Sequence, residues 1–279
     1  MAIFNLNLTE KCYLCAIMKQ TAFIISLIIA FLSMSVLDVD SARPRPKKRS
    51  RTHRVVKKRR TVHIPTIHEN PFMQCEDTCS HTHGIDLSHY QGEVFWELVG
   101  DGKGTSYVYL KATEGGDRID AQYERNISMA HRHGLKVGSY HFFRPKTDLT
   151  QQLANFKTQC LPCEQDLIPM LDIESTGGLP LHAFRDSLSK FLTLMEEAYH
   201  QKPLIYTGRN FYNKYLQGHL DNYLLMVALY TDEPPVLADN RDVCMWQYTS
   251  RGRIHGIRGF VDKSRFMGDH DLDELRFIR

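Results

Sequence analysis

Glycine and proline are scarce in this chain, 17 and 11 of 279 residues, which excludes a collagen-like or low-complexity protein. No glycine-rich phosphate loop follows the first strand-like run, since Gly115-Gly116 after Glu114 does not form one. That argues against an open, doubly wound nucleotide-binding sheet. The rest is ordinary globular composition, 42% apolar and 24% charged, enough for one large domain or two small ones. Acidic side chains are nearly missing from the first 60 residues, where 3 Asp and Glu stand against 13 Lys and Arg; residues 61–279 hold 29 against 22. The net charge of +3 therefore hides a basic tail on a mildly acidic folded part.

Residues 1–42 read as a targeting leader. An apolar run from Ala22 to Leu37 follows Lys19; it has the length of a signal-peptide core and is short for a membrane span. Met18-Lys19 looks like the natural start of such a peptide, and Ser41-Ala42 offers a cleavage point. An uncleaved anchor over 22–37 is the competing reading, and basic residues just after an apolar run favour the cytoplasmic side for the chain beyond it. Export, secreted or to the cell envelope, is the expectation, on the strength of the folded domain. Arg43 to Arg60 carries 11 basic side chains, two prolines and no acid, so residues 43–80 are expected to form a basic disordered linker. It acts either as an adhesive for an anionic envelope surface or as a solvated spacer.

Of the seven cysteines, Cys75 and Cys79 precede the first strand of the domain and Cys160 and Cys163 a later one. Local disulfides fit an oxidising compartment. Unmatched spacings disfavour a four-cysteine zinc site, and Cys160 and Cys163 precede a strand rather than opening a helix, which disfavours a redox motif.

Residues 81–279 form the expected catalytic domain. Strands are predicted at 84–88, 107–112, 136–142, 167–173, 204–207, 224–229 and 243–248, and helices at 121–133, 150–158 and 181–200. Such alternation means a parallel sheet with right-handed crossovers. The shorter, non-helical connections late in the chain point to a barrel whose second half has lost its helices.

Active sites of such barrels lie at the carboxyl ends of the strands. Asp86, Glu114, Tyr140-His141-Phe142 and Asp172-Ile173-Glu174 all fall there. Alternation puts Asp172 and Glu174 on one face with their backbones about 6–7 Å apart. Two carboxylates that close split their acidities into a proton donor and an anion, with Glu174 raised by its acidic neighbours and by burial at the barrel mouth, and Asp172 kept ionised. A lone Asp-x-Glu at a strand end is more often a cap or surface feature; the motifs taken together say more.

The strings GIDLSHYQGEVFW (84–96), YVYLKATEGG (107–116), the stretch Asn126 to Pro145 with its GLKVGSYHFFRP, IPMLDIE (168–174), PLIYTG (203–208), MWQYTSRGRIHGIRG (245–259) and VDKSRF (261–266) resemble, in order, those of glycoside hydrolase family 25, the muramidases of the Chalaropsis lysozyme type. The resemblance implies an α/β fold: a single flattened TIM-like barrel of eight strands with helices around only about the first five. It implies a retaining enzyme that cleaves the β-1,4 bond between N-acetylmuramic acid and N-acetylglucosamine in peptidoglycan, with no cofactor and no metal. Carried over residue by residue, Glu174 is the acid/base and Asp172 its partner, stabilising the substrate's own acetamido group. Asp86 and Asp262 complete the acid cluster, and Glu114, Tyr140, Phe142, Tyr206, Trp246 and Gln247 bind substrate. Peptidoglycan glycan strands are the expected partner, nucleic acid is not, and the chain is expected to be a monomer.

Several of these residues have plainer readings. Phe142 and Trp246 are equally read as barrel packing, His141 as structural, and Lys111 as the partner of a buried carboxylate. His81 and His83 lie on the entry segment rather than in a metal site. Met226, where the family commonly has an aromatic, and Ser264, where Asn is usual, depart from the pattern; all four acids are kept. A catalytically silent glycan-binding module using the same groove is one alternative, and a nucleic-acid-binding protein driven by the tail is another, weakened by the acidic folded part.

Overall fold

The structure is a computed structural model, and it describes residues 82–100 and 104–279. The leader, the basic linker, Cys12, Cys15, Cys75, Cys79 and His81 lie outside the described residues. Nine strands share one sheet: β1 (His83–Leu87), β2 (Tyr107–Glu114), β3 (Arg118–Ile119), β4 (Lys136–Phe142), β5 (Met170–Asp172), β6 (Leu204–Gly208), β7 (Leu225–Ala228), β8 (Met245–Gly252) and β9 (Val261–Phe266). The order β1-β9-β8-β7-β6-β5-β4-β2 closes through a β1–β2 pairing, with β3 appended to β2. The result is an eight-stranded barrel. Its strands are parallel except β9, which runs antiparallel to both β8 and β1.

Helices α1 (Trp96–Gly100), α2 (Tyr123–Arg132), α3 (Leu149–Gln159) and α4 (Leu181–Tyr199) cover the early part, and a short α5 (Arg209–Phe211) runs into one π-helical stretch, Tyr212–Leu216. Among the described residues no helix follows β7 or β8. In α4, Phe184, Leu188, Phe191, Leu192, Met195 and Tyr199 are buried, a 3–4 spacing that lays one stripe on the sheet. Each is worth roughly 1.5–3 kcal/mol of burial. His200 ends the helix in the left-handed region, at φ 57°.

The strand register sorts side chains into two sets. Gly84, Tyr107, Tyr109, Gly138, Met170, Tyr206, Met226, Gln247, Asp86 and Asp262 stand in matching register around the barrel, on its inner face. Alternate residues such as Val108, Leu110, Val137, Leu171, Ile205 and Val227, all buried, face the surrounding layer. Tyr107 and Tyr109 fill the floor. A Cβ on Gly84 would stand 2.1 Å from the Tyr107 ring, and one on Gly138 2.2 Å from the Tyr109 ring, so glycine at both positions makes room for the rings. Their hydroxyls are used: Tyr107 Oη pairs with Ser264 Oγ at 3.0 Å and Tyr109 Oη donates to the Ile168 carbonyl at 3.1 Å.

Seven of the eight barrel strands match the predicted runs. The eighth, β9, was signalled only by the resemblance, because VDKSRF carries three charges in six residues and lacks an apolar run. The pattern also missed α1 and the turn after β6. A local Cys160–Cys163 disulfide is not formed: Cys160 is a free, buried thiol at the C-cap of α3, where burial pushes it up to about 12. Met226 is fully buried, so it belongs to the barrel filling.

Candidate active site

Above the tyrosine floor the inner face turns polar. A cleft lined by Asp86, Lys111, Tyr140, Phe142, Asp172, Glu174, Tyr206, Gln247 and Asp262 opens at the carboxyl ends of the parallel strands, with Ser88, Tyr90 and Gln91 along one rim. Asp262 comes from the first half of the antiparallel β9 and pairs in register with Asp86, so both reach the same level. A second pocket shares Glu174 and is walled by Gly208, Arg209, Asn210, Phe211, Leu229 and Tyr230. Glu174 therefore stands at the join of the two.

Eight of the ten expected site residues line the cleft. Glu114 and Trp246 do not. Simple alternation would put Lys111 and Glu114 on opposite faces, but the β2–β4 register slips between Lys111 and Thr113, a bulge that turns Glu114 back toward Lys111. Glu114 is then spent on cations: Lys111 Nζ at 2.8 Å, Arg118 Nη1 at 2.8 Å and Arg144 Nη2 at 2.6 Å. Burial pushes its carboxyl up, but hydrogen bonds and charge from Lys111 and Arg144 win and hold it at about 2. Trp246 neighbours Gln247 on β8, so only one of the two can face inward. Its ring packs outside under Arg265 at 5.0 Å, with Nε1 donating to the Leu229 carbonyl at 2.7 Å.

Gln247 organises the cleft wall. Its Oε1 accepts from Tyr206 Oη at 2.9 Å and Tyr230 Oη at 2.8 Å, and its Nε2 donates to Asp86 Oδ2 at 2.8 Å. Two phenol donors on the oxygen fix the amide so that its NH2 must face Asp86. Tyr230 had no assigned role in the sequence reading; its partner Gln247 was the available signal. His141 is structural as expected: fully buried between Thr113 and Gln152, it is pushed down to about 4 by desolvation.

The acids sit where charge is costly. Burial raises Asp86 to about 8, opposed by the Gln247 hydrogen bond and helped by Asp262; burial and the charge of Glu174 raise Asp262 to about 6. Asp172 is raised well above the ordinary carboxylate range by burial first, then by the charge of Glu174. Glu174 is raised by burial of its carboxyl, with Lys111, Tyr206 and Arg144 all pulling the other way. Of the two causes expected to raise Glu174, burial is the one that acts, and burial is also the first cause for Asp172. The Oδ1 atoms of Asp86 and Asp172 are buried without a hydrogen-bond partner, two acceptors left over for something that enters the cleft.

Paired carboxyls in a cleft at a barrel mouth are the layout of a glycoside hydrolase, and comparison with known proteins agrees with that class. Residues 85–257 match the family described as Glycosyl hydrolases family 25, and the chain belongs to this family. It is similar to the uncharacterized protein YegX of Escherichia coli strain K12, 33% identical over 200 residues, 70% of this chain and 72% of that one. It is similar also to lysozyme M1 of Streptomyces globisporus, 30% identical over 199 residues, 66% and 67% of the two chains. Among solved structures, a bacterial lysozyme from Streptomyces coelicolor superposes with a TM-score of 0.63 at 28% identity, covering 70% of this chain and 95% of that one.

Proposed function

We propose that this glycoside hydrolase is a lysozyme that cleaves the β-1,4 bond between N-acetylmuramic acid and N-acetylglucosamine in peptidoglycan with retention of configuration. The observation that carries this reading is the pairing of Glu174 with Asp172 among four cleft acids whose ordinary acidity is suppressed. The kinship with lysozymes supplies the substrate class.

In this reading Glu174 gives its proton to the glycosidic oxygen as the C–O bond breaks, and the substrate's own acetamido oxygen closes on the anomeric carbon. Water then attacks that carbon, losing its proton to Glu174, and the ring of the acetamido intermediate opens; two displacements give retention. Asp172 and Glu174 behave as a coupled pair, and substrate decides where the proton sits. The free Oδ1 of Asp172 accepts the acetamido N–H, and the positive charge building there favours the Asp172 anion, leaving the proton on Glu174. Two carboxyls on one strand face also leave little room for the water that an inverting enzyme holds between them. Asp86 and Asp262 support the charge balance, and Tyr140, Phe142 and Tyr206 flank the sugar.

A polymer of the cell wall lies outside the membrane, and the export reading of residues 1–42 fits such a substrate. The test is digestion of defined peptidoglycan, with products read by mass spectrometry and the first-formed anomer by NMR. Muramic acid reducing ends of retained configuration are expected. An inverted product would sink the mechanism, and binding to walls without cleavage would favour the silent glycan-binding module instead.

A further inference from the structure

The β8–β9 hairpin rises from the rim of the cleft, because β8 ends at the mouth and Asp262, near the start of β9, lines it. Between Asp242 and Asp262 the chain holds Arg251, Arg253, His255 and Arg258 and no acid. The three arginines are exposed, and among the described residues their contacts are with aromatic rings and backbone. Arg251 and Arg253 lie over the Phe260 ring at 5.2 and 4.1 Å, and Arg258 over Phe95 at 5.5 Å. Arg253 Nη1 also donates to the Gly259 carbonyl at 2.8 Å. A guanidinium stacked by its face keeps N–H edges for a carboxylate.

The hairpin is fastened to the adjoining part of the rim, the segment that follows β1. Val94 bridges Ile257, Phe95 N donates to the Gly256 carbonyl at 2.9 Å, and Gln91 Nε2, from a residue that lines the cleft, donates to the Phe260 carbonyl at 3.4 Å. Gly256 has φ +95°, and a Cβ there would stand 2.5 Å from the Phe95 carbonyl, so this closure requires glycine. The cations are therefore held in place before any ligand arrives, which lowers the ordering cost of binding.

The cleft below is a cluster of acids, and a glycan backbone of acetamido sugars whose lactyl carboxyls are tied up as amides to the peptide branches brings no charge to oppose them. Its anionic groups are on the branches. We propose that the Arg251–Arg253–Arg258 hairpin docks the carboxylates of the peptide branches of peptidoglycan, an inference that rests on the muramidase reading above. A short extended peptide gains up to ~3.5 Å per residue, so a branch on a sugar in the cleft spans out to a rim in a few residues. The enzyme then prefers strands that still carry their peptides over strands stripped of them.

The test compares kcat/KM on peptide-bearing glycan strands with that on the same strands after an amidase has removed the peptides and the lactyl carboxylates it exposes have been capped as methylamides, at low and high salt. The wild-type chain and a triple variant, Arg251→Gln, Arg253→Gln and Arg258→Gln, are used, with thermal melting to check the fold. Exposed charge contacts are individually weak, and three of them predict a roughly 5- to 10-fold preference for peptide-bearing strands in the wild type. The triple variant should lose it, with its rate on stripped strands unchanged, and 1 M salt should erase it in the wild type. No preference in the wild type, or an undiminished one in the variant, overturns the proposal. Should the wild type cut neither strand, the muramidase reading falls; calorimetric binding of free branch peptide to wild type and variant then judges the hairpin separately, equal binding or none overturning it.

Discussion

The floor and the mouth of the barrel are built by the same alternation of the same strands, yet they are filled on opposite principles. At the floor, Tyr107 and Tyr109 lie against glycines, their hydroxyls both partnered. One layer higher, Asp86 and Asp172 are equally buried, but each keeps an acceptor oxygen without a partner. Satisfied polar groups in a close-packed layer stabilise the fold. Unsatisfied carboxyls cost stability and are tolerated where a ligand will meet them. The barrel thus keeps its stability low in the strands and its chemistry high in them.

That division is breakable by experiment. The largest effect is expected at the mouth: Glu174→Gln should lower turnover by about 10² to 10⁴, the range for losing general acid catalysis, while leaving the melting temperature unchanged or raised. Near-normal turnover on a glycan substrate would remove Glu174 from its assigned place. Asp86→Asn sharpens the contrast through pH. The folded protein holds the Asp86 proton up to about 8, whereas an unfolded chain releases it near the ordinary value of 3.8, so wild-type stability from this group falls as pH rises between the two. An always neutral Asn escapes that loss. Melting curves of variant and wild type should coincide below pH 4 and diverge in the variant's favour up to pH 8, by at most about 1.4 kcal/mol per pH unit.

Floor variants should do the reverse. Gly138→Ala drives a methyl into the Tyr109 ring and is expected to cost roughly 1–3 kcal/mol by overpacking, seen as a lower denaturation midpoint with turnover per folded molecule retained. The smallest effect separates two aromatics that the sequence groups together. Phe142→Ala should raise KM, because its ring lines the cleft beneath Arg144 at 4.4 Å, whereas Trp246→Phe should leave kcat and KM within about twofold, its ring being outside the barrel. A KM change with Trp246→Phe as large as that with Phe142→Ala would show that the inner and outer faces of β8 have been misassigned.

Much of the barrel is readable in the sequence. The parallel strands announce themselves as apolar runs, and the acids Asp86, Asp172 and Glu174 fall at their ends, which is why the cleft can be located from residue order alone. Two expected site residues fall outside the cleft lining, each for a definite reason. Glu114 is expected in the groove because it stands at a strand end like the other acids, and nothing in the residue order shows that Lys111, Arg118 and Arg144 converge on its carboxylate. Trp246 is expected beside Gln247 although adjacent strand residues face opposite ways, so the sequence held the information to choose between them. The β9 strand is invisible to periodicity because two of its three inward positions, Asp262 and Ser264, are polar, one serving the cleft and one capping the Tyr107 hydroxyl, while Lys263 and Arg265 alternate with them.

The closure through β9 and β1 ties late strands to early ones: Tyr107 finds Ser264 at a sequence separation of 157, and Gln247 finds Asp86 at 161. Contacts of such long range form late and slowly, since the chain between must be closed before they return any energy. A ribosome releasing this protein therefore emits most of the strands before the barrel can shut. Until β9 emerges, Asp86 lacks both the amide that orients it and the carboxyl that faces it. Competence to cut glycan thus arrives only once β9 has been made, and a truncated product ending before Val261 would be an unfinished barrel with an open seam rather than a weak enzyme.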